Sequence, residues 1–301
     1  MKLLITGAWK AEDWQLDELR SAGYEIIFMQ DERGELAIGA DSVDGIICNG
    51  LFLYHDISSF KNLKYIQLTS AGFDRVPMDY VNKNGIEIHN ARGVYSVPMA
   101  EYAVSGALQL YKQSRFFADK QRACKWEKHR GLIELFGKTV CIVGCGSVGT
   151  ECAKRFSAFE CCVIGVDLYP RECGEYSSVL PIDELDSALE KSDIVVLTLP
   201  LTEQTCGLIG SERLKKMKKE AILINIARGA VVDTNALIDA LNNGIISGAV
   251  LDVFDTEPLD GSSSLWDMEQ VILTPHNSFV GDGNARRLWN VISTNLRGFK
   301  K

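Results

Sequence analysis

The chain has 301 residues, 46% of them hydrophobic and 24% charged, the balance of a globular protein long enough for two cores of ordinary size. A net charge of -8 and a pI near 5.2 exclude the basic footprint of a nucleic-acid or anionic-membrane binder. No apolar run approaches the roughly 18 residues of a membrane span, and the apolar part of "MKLLITGAWK" is too short for a signal sequence.

In chain order, "KLLIT" reads as a buried strand and "AEDWQLDELRSAG" as a helix closing on a glycine suited to its C-cap. "YEIIFM", "VDGIIC", "LKYIQL" and "IEIHN" continue the strands. From Ser96, "SVPMAEYAVSGALQLYKQSRFFADKQRACKW" reads as one long connecting helix, with Ser96 able to cap it and Pro98 tolerated in its first turn. The strand pattern starts again at Lys138 with "KTVCIVG", then "CCVIGVD", "IVVLTLP", "AILINIA", "ISGAVLDVF" and "QVILTPH". "TNALIDALNNG" is a helix among them, and "RLKKMKK" is read as a solvated helix face. The closing "GNARRLWNVISTNLRGF" is expected to be one helix that packs back on the first half. Apolar residues at consecutive positions mark parallel strands covered on both faces. Repeated β-α units indicate doubly wound sheets, and two starts indicate two of them.

In "TVCIVGCGSVGTECAKRF" a strand, a glycine-rich turn and a helix follow one another. Gly144 permits the tight turn, Gly146 lets backbone approach a pyrophosphate, and Gly149 allows close packing of helix on strand. The helix opening at Ser147 and Val148 presents free N–H groups and a positive dipole end to phosphates. Asp167 closes the next strand, 18 positions beyond Gly149, near the spacing of a carboxylate that binds an adenosine ribose. Its charge repels a 2′-phosphate, so NAD is preferred over NADP; nearby Arg171 could soften that preference.

Three cysteines crowd the same segment, but the nine in the chain include no C-x-x-C, and the four histidines lie far apart. No metal site is expected, and reduced thiols point to the cytoplasm. Cys141 and Cys152 pass as small apolar side chains. Cys145, inside the turn, could instead be a redox-sensitive thiol.

Later strands run apolar and then stop at polar or ionisable residues, Arg228, Asp252 followed by Glu257, and His276. Carboxyl ends of parallel strands border the ligand crevice, so Arg228, Glu257 and His276 are candidates to converge beside a nicotinamide. Singly, each has a plainer reading, as a surface arginine, an acidic-loop residue and a helix cap.

"LINIARGAVVD", "AVLDVFDTEPL", "ILTPHNSFVG", "GCGSVG", "TSAGFDRVP" and "NARGVYSVPMAEYA" resemble signatures of the D-isomer-specific 2-hydroxyacid dehydrogenases, in order over nearly the whole chain. The resemblance implies two flavodoxin/Rossmann-like doubly wound parallel-sheet domains with the active site in the cleft between them. It makes residues 1–97 and 277–301 the substrate-binding domain, with the NAD-binding domain, 98–276, inserted. It implies a homodimer through the helix after Ser96 and hydride transfer between NADH and the carbonyl of a 2-oxo acid. His276 would be the acid/base, Glu257 its orienting carboxylate and Arg228 the holder of the substrate carboxylate and carbonyl oxygen. Backbone around Ser70, Ala71 and Gly72 would grip the substrate carboxylate. Asp252 would touch the nicotinamide carboxamide, Pro200 and Thr205 would wall the adenosine and phosphates, and Met99 would line the cofactor pocket.

"NGLFLYHD", Asn49 to Asp56, lacks the basic residues that family members acting on 3-phosphoglycerate carry there. Its Leu51, Phe52, Leu53 and Tyr54 either face an unphosphorylated substrate or pack in the core. With 25 residues after His276, no appended regulatory module is expected. Besides a hydroxypyruvate or glyoxylate reductase, 3-phosphoglycerate dehydrogenase activity, a reductase of bulkier 2-oxo acids and an NAD-sensing corepressor remain alternatives. A methyltransferase would leave Arg228, Glu257 and His276 without purpose.

Overall fold

The computed structural model describes residues 1–299. Two compact units share the chain, Met1–Tyr95 with the segment from Gly281 onward, and Ser96–Val280.

The first unit begins with β1 (Lys2–Thr6), α1 (Asp13–Ser21), β2 (Glu25–Met29), β3 (Gly45–Cys48), β4 (Tyr65–Leu68), α2 (Met78–Lys83) and β5 (Glu87–His89). Its sheet is wholly parallel in the order β2-β1-β3-β4-β5, the flavodoxin-like arrangement. Every residue of β3 and β4 is buried. Alternate side chains enter two cores: Ile46 and Ile66 on one face, Ile47 and Tyr65 on the other. Burial on both faces is why these strands read as unbroken apolar runs.

The second unit holds α3 (Ser96–Tyr111), α4 (Ser114–Arg122), β6 (Thr139–Val143), α5 (Ser147–Ala158), β7 (Cys162–Asp167), β8 (Ser178–Pro181) and α6 (Leu185–Lys191). β9 (Ile194–Leu197), α7 (Ser211–Lys216), β10 (Ile222–Asn225), α8 (Thr234–Asn242), β11 (Gly248–Leu251) and β12 (Val271–Leu273) complete it. All seven strands are parallel, in the order β12-β11-β10-β9-β6-β7-β8. The order reverses between β6 and β9, and a doubly wound sheet opens its ligand crevice beyond the carboxyl ends at such a reversal.

The last helix, α9 (Asn284–Phe299), belongs to the first unit. Leu288, Trp289, Ile292 and Leu296 form its buried stripe, and Trp289 stacks on Trp9 with ring centroids 5.7 Å apart. Gly23 and Gly244 follow α1 and α8 in the left-handed conformation, with φ of 86° and 62°. The N–H groups of Tyr24 and Ile245 return to the carbonyls of Leu19 and Ala240, as in a Schellman cap.

Two expectations change. β8 has no apolar signature because it is an edge strand with no buried residue, which also lets Pro181 end it. The helix expected to run unbroken from Ser96 is two helices, turning at Gln113, whose φ is 53°. Small residues on α3 (Ala100, Ala103, Gly106 and Ala107) are buried, whereas α4 buries nothing that would keep it on the same axis. Among the described residues no helix is long and apolar enough to cross a membrane.

Candidate active site

The glycine turn at the end of β6 requires its glycines. Gly144 has φ of 104°, and a Cβ there would lie 2.6 Å from the backbone nitrogen of Leu199. A Cβ on Gly149 would lie 2.0 Å from the carbonyl oxygen of Gly144, so helix and turn touch backbone to backbone. Gly146 differs, since a Cβ there would meet nothing within 4 Å. That open space lies where α5 begins, and no side chain caps the helix. The first amides of α5, at Ser147 and Val148, therefore stand available to an anion at the positive end of the dipole. The cradle fits a dinucleotide pyrophosphate.

Asp167, at the end of β7, is drawn to the same turn. One carboxylate oxygen accepts the N–H of Cys145 at 2.6 Å and the other that of Tyr169 at 2.9 Å. A carboxylate offers about four acceptor sites, so room remains for ribose hydroxyls. The cysteines around the turn fill space. Burial pushes the thiols of Cys141 and Cys152 up to about 12 and that of Cys145 to about 11. Cys145 is tucked under β7, its Sγ 2.5 Å from where a Cβ on Gly165 would stand. Buried, protonated thiols are poor nucleophiles. Among the described residues no three His, Cys, Asp or Glu side chains group as metal ligands.

Pro200 is exposed and its carbonyl accepts the Thr205 hydroxyl at 2.7 Å; the same hydroxyl accepts the N–H of Thr202 at 2.7 Å. Thr205 is buried, so its side chain braces the loop and the outer surface is left to Pro200. Met99 is half-buried in the first turn of α3 and packs against the core beneath the sheet.

Arg228, Glu257 and His276 all lie in the second unit, beyond the ends of β10, β11 and β12. Nδ1 of His276 is 2.8 Å from Oε2 of Glu257, and Oε1 of Glu257 accepts the Phe254 N–H at 3.1 Å. Nε2 of His276 has no partner among the described residues. The imidazole is 41% exposed, and the Phe279 ring stands nearly perpendicular to it with centroids 6.1 Å apart. Burial raises the Glu257 carboxyl, but the hydrogen bonds from His276 and Phe254 and the charges of His276 and Arg228 outweigh it, and the net pKa lies below the usual glutamate value. The guanidinium of Arg228 is thus within electrostatic reach of Glu257, while its Nη1 donates to the Ala227 carbonyl at 2.7 Å.

Several residues that build this cluster escaped the sequence reading. A Cβ on Gly229 would sit 1.9 Å from the carbonyl carbon of Phe254, so only glycine lets the Arg228 turn close onto the loop leading to Glu257. The glycine in "ARGAVVD" was the available signal. Asp252 is fully buried, and its carboxylate accepts bonds from the Thr274 hydroxyl at 2.6 Å, the Asn277 N–H at 2.7 Å and the Ser278 N–H at 2.9 Å. The family resemblance makes Asp252 a contact of the nicotinamide carboxamide; here its carboxylate is enclosed and braces the turn that carries His276.

In the first unit, the three carbonyls of Ser70, Ala71 and Gly72 accept bonds from Ala91 N–H, the Asn90 amide and the Ser70 hydroxyl. Among the described residues nothing accepts from the N–H groups of Ala71 and Gly72. The loop from Asn49 divides: Leu51 and Phe52 pack into the core, while Leu53 and Tyr54 are 57% and 56% exposed. Glu32, which the sequence reading passed over, accepts the N–H groups of both Asn49 and Gly50 at 2.7 Å and the Thr6 hydroxyl.

A phosphate-cradling turn, a ribose-spaced carboxylate and an imidazole–carboxylate pair beside a guanidinium are the equipment of a nicotinamide-dependent dehydrogenase. Residues 104–278 match the family model of the D-isomer specific 2-hydroxyacid dehydrogenase, NAD binding domain. The glyoxylate reductase of Thermofilum pendens is 40% identical over 244 residues, covering 78% of this chain and 71% of that protein. Among solved structures, a D-isomer specific 2-hydroxyacid dehydrogenase family protein from Aeromonas salmonicida superposes with a TM-score of 0.83 at 27% identity, over 99% of this chain and 94% of that one. The D-lactate dehydrogenase of Aquifex aeolicus, complexed with NAD and lactic acid, gives 0.78 at 26% identity, over 99% and 97%. The chain belongs to the D-isomer specific 2-hydroxyacid dehydrogenase family. It is an NAD-dependent oxidoreductase that interconverts 2-hydroxy acids and 2-oxo acids.

Proposed function

We propose that this enzyme reduces small, unphosphorylated 2-oxo acids of the glyoxylate and hydroxypyruvate type to D-2-hydroxy acids, with His276 as the acid/base. The His276–Glu257 contact at 2.8 Å, with Arg228 acting on the same carboxylate, carries the assignment. When bound, NADH supplies the hydride. Arg228 pairs its planar fork with the substrate carboxylate and carbonyl oxygen. Nε2 of His276 gives a proton to that oxygen in reduction and takes it back in oxidation. Glu257 holds Nδ1, fixing the ring and balancing the imidazolium. Both cations stabilise charge building on the oxygen. Within the first unit, the N–H groups of Ala71 and Gly72 are suited to an anionic group.

Glu32 supports an unphosphorylated substrate. Its carboxylate takes the two backbone donors at Asn49 and Gly50, which a phosphate held at that loop would need. The glyoxylate reductase relative points the same way. Asp167 favours NAD over NADP. The protein works in the cytoplasm as a homodimer paired through the second unit, whose α3 presents a groove with Val104, Leu108 and Phe159.

NADH oxidation measured against a panel of glyoxylate, hydroxypyruvate, pyruvate, bulkier 2-oxo acids and 3-phosphohydroxypyruvate tests this. Turnover is expected with glyoxylate or hydroxypyruvate, and His276→Ala is expected to lower kcat about 100- to 10,000-fold while NADH still binds. Preference for the phosphorylated acid would overturn the substrate class. NADH binding without turnover on any member would instead favour a nucleotide-sensing protein.

A further inference from the structure

We propose that Tyr102 and Thr274 are positioning residues for the reaction, acting through Asp252 as a directed hydrogen-bond chain that fixes the turn carrying His276. The proposal rests on His276 being the acid/base group.

The direction of the chain follows from its acceptor end. A carboxylate only accepts, so the Thr274 hydroxyl must spend its one proton on Oδ1 of Asp252, 2.6 Å away. The Thr274 oxygen is then the acceptor for the Tyr102 hydroxyl at 2.5 Å. Burial raises the Tyr102 phenol, as does the Asp252 charge against the opposing bond to Thr274, which keeps the phenolic proton in place to donate. Each donor polarises the next, so the chain is stiffer than its separate bonds.

Its far end grips the backbone on both sides of the imidazole. The Asp252 carbonyl accepts the His276 N–H at 2.7 Å, and its carboxylate accepts the N–H groups of Asn277 and Ser278. His276 itself has φ of 50°, a left-handed conformation that non-glycine residues rarely adopt unless their surroundings impose it. That conformation turns the following amides toward Asp252, which is fully buried. The imidazole thus owes its place to α3, whose Tyr102 precedes Thr274 by 172 residues in sequence.

The test compares Tyr102→Phe, Thr274→Val and Thr274→Ser in the full chain, with NADH and with glyoxylate and hydroxypyruvate as probes. Tyr102→Phe and Thr274→Val are expected to lower kcat about 10- to 100-fold with KM and NADH affinity nearly unchanged, since the damage is to alignment. Thr274→Ser keeps the hydroxyl and is expected to restore the rate. Independently of turnover, hydrogen exchange at the amides of His276, Asn277 and Ser278 should quicken in Thr274→Val and return to normal in Thr274→Ser. Unchanged kcat and unchanged exchange in both hydroxyl-deletion variants, with only a lower Tm, would overturn the positioning role. His276→Ala run alongside separates the two ideas. If it is inactive while Tyr102→Phe and Thr274→Val are fully active, only the chain fails. If His276→Ala keeps its rate, the acid/base role fails and this proposal with it.

Discussion

Glu257 is the residue whose charge ties the cluster together. Its pKa lies below the usual glutamate value because its bonds and neighbouring positive charges outweigh burial. A carboxyl depressed on folding contributes stability above its unfolded value, about 4.5, that is lost as pH falls through the folded value. The Tm of wild type should therefore exceed that of Glu257→Gln at neutral pH, and the two curves should meet in acid below pH 4.5. The same variant is expected to lower kcat about 100-fold, because the amide neither balances an imidazolium nor enforces the tautomer. Gly229→Ala should destabilise by about 3 kcal/mol, measured by urea unfolding, since its methyl would meet backbone rather than a movable side chain. Asp167→Ala is expected to raise kcat/KM with NADPH relative to NADH; an unchanged ratio would show that the carboxylate does not read the ribose. Arg228, Glu257 and His276 were legible because each interrupts or follows an apolar strand, a pattern one sequence displays. Glu32, Tyr102 and Thr274 were not, because their roles exist only against partners on distant elements.

At the scale of elements, the sequence exposes whatever is buried on both faces and hides what lies at an edge. β3, β4, β9, β10 and β11 are buried at every residue and stood out as apolar runs. β8, half-exposed at the sheet margin, carried no such signal. The break between α3 and α4 was equally silent, since "LYKQSRFF" holds neither glycine nor proline. The left-handed residue there is Gln113, a position glycine would occupy at lower cost. Gln113→Gly and Gln113→Val should consequently differ by about 1–2 kcal/mol in unfolding free energy, the glycine variant being the more stable. Equal stabilities would mean that the two helices do not depend on that turn.

For the whole molecule, the decisive question is what covers α3 on the side away from its sheet. Ala100, Ala103, Gly106 and Ala107 are buried within the unit. Elsewhere on the helix Val104, Leu108 and Phe159 of α5's end line a groove of about 540 Å³, rimmed by Glu101, Lys112 and Arg155. In the same unit Trp126 is 99% exposed and Phe136 65%. A second copy supplies the same apolar groove and the same exposed aromatics, which suits the self-complementary contact of a two-fold dimer. Wild type is accordingly expected to sediment at twice the monomer mass. Leu108→Glu would set a carboxylate in the groove of both copies, where pairing must bury two like charges, and should sediment as a monomer. Trp126→Ser should weaken association without altering the Tm of the diluted monomer, since a side chain this exposed contributes little to its own unit's core. A wild type that remains monomeric at high concentration, or a Leu108→Glu variant that stays dimeric, would place the covering of α3 elsewhere.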